Sequence, residues 1–115
     1  MENRLVEGVN SLESEVLKVG HHGSKTSTTP AFLQRVAPRF GIISVGAYRR
    51  FGHPNQEVLD ALAQAGVKTY RTDQDGSVTV TTDGNKLSFS SFQESIETWP
   101  TFDLYASPTD TFSLR

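Results

Sequence analysis

The run Lys18-Val19-Gly20-His21-His22-Gly23-Ser24-Lys25-Thr26-Ser27 sets two imidazoles beside a glycine and a row of hydroxyls, directly after a short apolar stretch. Neutral imidazole is the commonest nitrogen ligand for zinc and related ions, and a ligand fixed at a strand end keeps the geometry such a site needs. Gly23 lets the backbone pass close to a metal or its substrate. By type and spacing alone, a pair of loop histidines held only by hydrogen bonds is an open alternative. A second polar run, Tyr48-Arg49-Arg50-Phe51-Gly52-His53-Pro54, puts two guanidinium groups and an imidazole ahead of an expected helix start, where unpaired N–H groups favour anions. Phosphate is the ligand class that suits it. His53 could bind that phosphate, donate a proton, support a metal ligand from behind, or cap the helix. Asp73 and Asp75 follow a third strand, where a carboxylate can orient a metal-bound histidine or position water, or bond nearby backbone N–H groups as turn residues do. Ser24 and Lys25, with Thr26 and Ser27, are candidates for holding phosphate oxygens, while Ser24 lacks the base and orienting acid that a nucleophile needs. The chain has no cysteine, so a metal site in it must use His, Asp or Glu.

These residues need elements to hold them. Residues 15–20 (EVLKVG) read as a strand, and the polar loop 21–29 follows it. Thr28 or Thr29 can cap a helix beginning at Pro30, with Ala31, Phe32, Leu33 and Val36 as its apolar face and Pro38 as its stop. Residues 41–45 (GIISV) form a continuous apolar run, the pattern of a strand covered on both faces in a parallel sheet. Pro54 marks a second helix start, with Val58, Leu59, Leu62 and Ala63 at helical spacing until Gly66 closes it. Residues 67–71 (VKTYR) make a third strand and 73–76 a turn. Alternation at Val78 and Val80, then at Leu87 and Phe89 across Asp83-Gly84-Asn85, predicts an antiparallel hairpin at the sheet edge.

Strand, helix, strand, helix, strand and hairpin in that order predict an α/β fold whose first three strands run parallel. Ligands of such sheets gather at the carboxyl ends of the strands, so the His21 loop and the 46–53 loop should face one pocket. The expected organisation is one unit over 1–92 and a tail over 93–115 of unknown structure, whose Trp99, Phe102, Tyr105 and Phe112 lack a clear period. A chain of 115 residues fits one domain or a piece of one. Its net charge of −2 excludes a global pull toward nucleic acid, so phosphate contacts must come from local clusters. No apolar run approaches a membrane span and the N-terminus does not read as a signal peptide, which predicts a chain soluble by itself.

Three blocks, LKVGHHGSKTS, IISVGAYRRFGHPNQEVLDAL and VKTYRTDQDGSVTV, occur in that order over about residues 15–80. Together they look like the C-terminal half of the metallo-β-lactamase-like domain of ComEC-type DNA-internalisation competence proteins. The resemblance implies an αββα sandwich with a metal site at its strand ends. It assigns His22 first, and His21 second, as a late ligand to one or two zinc or manganese ions, and it puts the Gly-His-Pro motif of His53 near the active site. For the complete domain it implies a phosphodiesterase or nuclease acting on DNA in bacterial DNA uptake. Catalytic duties would fall to His53 and Asp73, with Ser24, Lys25, Arg49 and Arg50 holding the phosphate backbone.

The family's early His-x-His-x-Asp-His motif and its bridging aspartate have no match here, and the chain is expected to start just downstream of them. A catalytic zinc needs about three protein ligands, so the chain alone should be inactive. The expected partners are DNA, the N-terminal half of the domain, a transmembrane channel portion in the bacterial inner membrane, and a second copy of the chain through exposed sheet surface. The alternative from another class is a non-catalytic nucleic-acid-binding module that uses the Arg49-Arg50 loop.

Overall fold

The computed structural model describes residues 2–8, 10–46, 52–92, 97–100 and 111–114. The molecule is mixed α/β, with helices and two sheets. Strands β1 (Val16–Lys18), β2 (Phe40–Ile43) and β3 (Lys68–Arg71) form a parallel sheet in the order β1-β2-β3. All four residues of β2 are buried, as the continuous apolar run 41–45 predicts for a strand covered on both sides. The period of two divides it: Phe40 and Ile42 face one layer, while Ile43 faces the other.

On the Ile43 side lie two helices, α2 (Pro30–Val36) and α3 (Gln56–Gln64). Leu33 of α2 and Val58 and Leu62 of α3 close over Val19, Ile43 and Val67. Both helices start on side-chain caps. The Thr29 hydroxyl accepts from the Phe32 N–H at 3.2 Å, ahead of Pro30 in the first turn. The Asn55 side chain accepts from the Glu57 N–H at 2.9 Å, so α3 begins two residues later than Pro54 suggests. Gly66, with φ +72°, follows the end of α3 as the sequence predicts.

On the Phe40 side, β4 (Val78–Thr82) and β5 (Lys86–Ser91) form the expected antiparallel hairpin, but not at the edge of the parallel sheet. It is the centre of a second sheet, ordered β6-β5-β4-β7, with β6 (Glu97–Pro100) and β7 (Thr111–Leu114) supplied by the stretch expected as a tail. The reason is burial. Val78, Val80, Leu87 and Phe89 make one apolar face, and Phe40, Ile42 and Tyr70 make another; laid face to face, each covers the other. Edge pairing would have left both in water. Phe89 lies at the middle, its ring 4.9 Å from that of Tyr70 and 4.5 Å from that of Phe40. The outward face of the hairpin carries Thr79 opposite Ser90 and Thr81 opposite Ser88.

Two further elements were not legible in the sequence. Helix α1 (Glu2–Glu7) buries no residue and is held by polar contacts: Glu2 accepts from the Thr28 and Thr29 N–H groups at 2.7 and 3.3 Å, and Arg35 donates to the carbonyls of Gly8 and Asn10. The expected turn at 73–76 is a single helical turn, α4 (Thr72–Asp75). Among the described residues, no helix is long and apolar enough to cross a membrane.

Candidate site at the carboxyl edge of the parallel sheet

The chain leaves β1 through Val19, whose N–H donates to the Ile42 carbonyl at 2.9 Å, and enters a tight turn over Gly20–Gly23. His21 (φ 48°, ψ 39°) and His22 (φ 54°, ψ 28°) both take the left-handed conformation. For residues with a Cβ this costs about 1–2 kcal/mol each. The surroundings hold them there. The Ser27 hydroxyl bonds the Gly20 carbonyl at 3.0 Å, the Ser24 N–H donates to the His21 carbonyl at 3.0 Å, and the Asn55 N–H donates to the Gly23 carbonyl at 2.8 Å.

His22 Nδ1 lies 2.5 Å from the Ser44 carbonyl oxygen, just past the end of β2. A carbonyl can only accept, so this contact assigns a proton to Nδ1 and, in the neutral ring, leaves the lone pair on Nε2. That is the arrangement of a metal-ligating histidine: one nitrogen anchored to a backbone carbonyl, the other presented as a ligand. His22 is exposed, so Nε2 can be reached. His21, beside it, is exposed as well.

The two polar loops meet at Gly23. A Cβ built there would lie 2.7 Å from Pro54 Cβ, and its φ of +83° is one that side chains avoid, so only glycine allows this approach. His22 and His53 are each adjacent in sequence to that contact, with a cis bond joining His53 to Pro54. Of the second loop, Arg49 and Arg50 lie outside the described residues. Ser24 pairs with Thr26, hydroxyl to hydroxyl at 3.0 Å. Lys25 is exposed and, with Ser27, Thr28 and Glu57, lines a shallow cavity of about 220 Å³ between the loop and α3.

At the end of β3 the aspartates are engaged by the chain itself. Asp73 takes the Arg71 guanidinium on both oxygens, Nε to Oδ1 at 3.0 Å and Nη2 to Oδ2 at 2.7 Å, with only 5% of its side chain exposed. Asp75 accepts from the Arg71 backbone N–H at 2.7 Å. Asp75 therefore does what a turn carboxylate does, and Asp73 is one half of an ion pair. Between them and β2 stands a residue that sequence reasoning passed over. The Thr72 hydroxyl accepts from the Val45 N–H at 2.8 Å and donates to the Val45 carbonyl at 2.9 Å. Nothing in a threonine after a strand signals such a contact.

The fit to a metal is partial. Among the described residues no group of three or more His, Asp or Glu side chains is placed to hold an ion. His22 supplies one oriented imidazole, whereas a catalytic zinc takes about three protein ligands.

No family model and no solved structure matches the chain. Three curated proteins do. ComE operon protein 3 of Bacillus subtilis is 46% identical over 68 residues, 59% of this chain and 9% of that protein. Competence protein ComA of Neisseria gonorrhoeae is 38% identical over 68 residues, 59% of this chain and 10% of that protein. Recombination protein 2 of Haemophilus influenzae is 33% identical over 85 residues, 74% of this chain and 11% of that protein. The chain thus spans only about a tenth of the length of the relatives it matches. Over that shared stretch, the similarity supports a place for this chain beside one portion of a competence-protein family.

Proposed function

We propose that the chain is one part of a metal-dependent hydrolase that cleaves phosphodiester bonds in DNA during bacterial DNA uptake, and that it contributes one corner of the metal site, with His22 as ligand and His21 as the second candidate. The observation that carries this reading is the Nδ1 anchor of His22 on the Ser44 carbonyl, which aims an exposed Nε2 lone pair outward from the sheet's carboxyl edge. The competence relatives support the DNA-uptake context. A bound zinc or manganese supplies Lewis acidity toward water and phosphoryl oxygen. The chain's own residues do the rest: the Gly23–Pro54 contact keeps His53 close to the histidine turn, where it can hold phosphate or transfer a proton, and Ser24 and Lys25 offer a hydroxyl and a cation to phosphate oxygens. The remaining ligands come from other residues of a longer protein, so the isolated chain is inactive. That longer protein carries the membrane channel.

The test is a titration of the chain with zinc and then manganese, following the imidazole signals of its three histidines by NMR. Zinc should shift His22 Nε2 while its Nδ1 proton stays bonded, manganese should broaden the same ring, and His22→Ala should abolish the response of the other two. A His22 ring that neither metal moves, together with undiminished cleavage by the His22→Ala variant of the longer protein, overturns the reading. In the longer protein, metal-dependent cleavage of DNA should disappear with the same variant.

A further inference from the structure

The Ser44 carbonyl that receives the His22 proton and the Val45 N–H that binds Thr72 belong to one peptide unit. In a trans peptide the C=O and N–H point to opposite edges of one plane, and the only cis bond among the described residues is that between His53 and Pro54. The imidazole of His22 and the hydroxyl of Thr72 therefore grip the same plane from its two sides, at 2.5 and 2.8 Å. From this we infer that Thr72 is a positioning residue for His22, setting which imidazole nitrogen carries the proton; the inference rests on the metal-site reading above.

First, the peptide lies just past the last β2–β3 pair, Ile43 with Arg71, and a hydroxyl that accepts from Val45 N–H and donates to Val45 C=O restrains its rotation about the flanking ψ and φ. Second, donation by the Val45 N–H polarises the Ser44 carbonyl of the same unit and strengthens it as an acceptor. Third, the Nε2–H tautomer is the ordinary preference of a neutral imidazole in water, so a fixed, polarised acceptor is what holds His22 in the opposite form. Thr72 is itself held in place. It opens α4, whose neighbours Asp73 and Asp75 clamp the Arg71 side chain and backbone N–H, which ties the turn back to β3. On this account the two aspartates serve the site at a distance, by fixing the residue that fixes the peptide.

The experiment compares Thr72→Val and Thr72→Ser with the parent chain, by long-range ¹H–¹⁵N correlation of the His22 ring on the alkaline side, where its spectrum no longer changes with pH. The parent chain and Thr72→Ser should show the proton on Nδ1. Thr72→Val, which keeps shape and loses the hydroxyl, should move His22 to a mixture dominated by Nε2–H, and weaken its response to zinc about 10–100-fold, the usual effect of losing a partner behind a ligand. If Thr72→Val does not fold, Thr72→Ala gives the same readout without the added methyl. An Nδ1–H tautomer retained without the hydroxyl overturns the inference. The tautomer is read without metal, so that outcome stays separate from failure of the metal reading, in which the parent chain ignores zinc whatever its tautomer.

Discussion

The space between the two sheets and the carboxyl edge of the parallel sheet share strands β2 and β3, yet different forces hold them. Between the sheets, Phe40, Ile42, Tyr70, Val78, Val80, Leu87 and Phe89 are buried on regular strands, and contact among apolar side chains is their common bond. At the edge, the backbone is left-handed at successive residues, the side chains are polar, and the contacts are a few hydrogen bonds between residues far apart in sequence, such as His22 to Ser44 and Thr72 to Val45. The first region tolerates approximation, since many small contacts average out any one error. In the second, each polar atom has only one or a few partners, and losing one leaves a wrong tautomer or an open turn. One region gives the molecule its stability and the other spends conformational strain on placing an imidazole.

The comparison breaks most visibly at Phe89. Phe89→Ala should lower stability by about 3–5 kcal/mol in denaturant unfolding, since it empties the centre of the inter-sheet layer. The His22–Ser44 geometry should survive in the folded fraction; a change of His22 tautomer in that variant would mean the two regions are not separable. Gly23→Ala sharpens the contrast from the other side. The added methyl meets Pro54 in a backbone conformation it disfavours, so a loss of about 1–3 kcal/mol is expected, with His22 and His53 ring signals moving and those of Phe89 and Tyr70 unchanged. Unaltered histidine signals would show that the two loops are not coupled through this contact.

The smallest effect belongs to the hairpin tip. Asp83 accepts from the Asn85 and Lys86 N–H groups, both at 2.8 Å, and these bonds hold its carboxyl below the ordinary 3.8. A carboxyl lowered by folding contributes stability that is present above its unfolded pKa and lost as pH falls through the folded one. Stability should therefore decline slightly below pH ~4 in the parent chain and less so in Asp83→Asn, measured by thermal unfolding across that range. Equal slopes in the two would assign the acid-side loss to other carboxyls.

The same contrast explains what could be seen beforehand. The apolar run 41–45 and the alternation at Val78, Val80, Leu87 and Phe89 are periodic, so the strands were legible from sequence. Alternation says that one face is buried and not what buries it, which is why the hairpin was expected at an edge and lies in a second sheet. Helix α1 carries no apolar face, and its tether is a Glu2 carboxylate on backbone N–H groups 26 and 27 residues away, which no local pattern announces. At the site, residue types pointed to His21, His22 and His53, and the close approach of the loops matches the expectation that they share one end of the sheet. The left-handed backbone of the histidines, their proton placement and the part played by Thr72 come from long-range bonds and had no signature in the chain.

The hydroxyl row on the outward side of the hairpin has its own consequence. Thr79, Thr81, Ser88 and Ser90 all have some access to solvent, and such groups are well hydrated there. An oily layer pressed onto them would strip that hydration at about 1–3 kcal/mol for each group left without a substitute. This face of the hairpin is thus suited to water, and a neighbour resting on it would need donors and acceptors of its own.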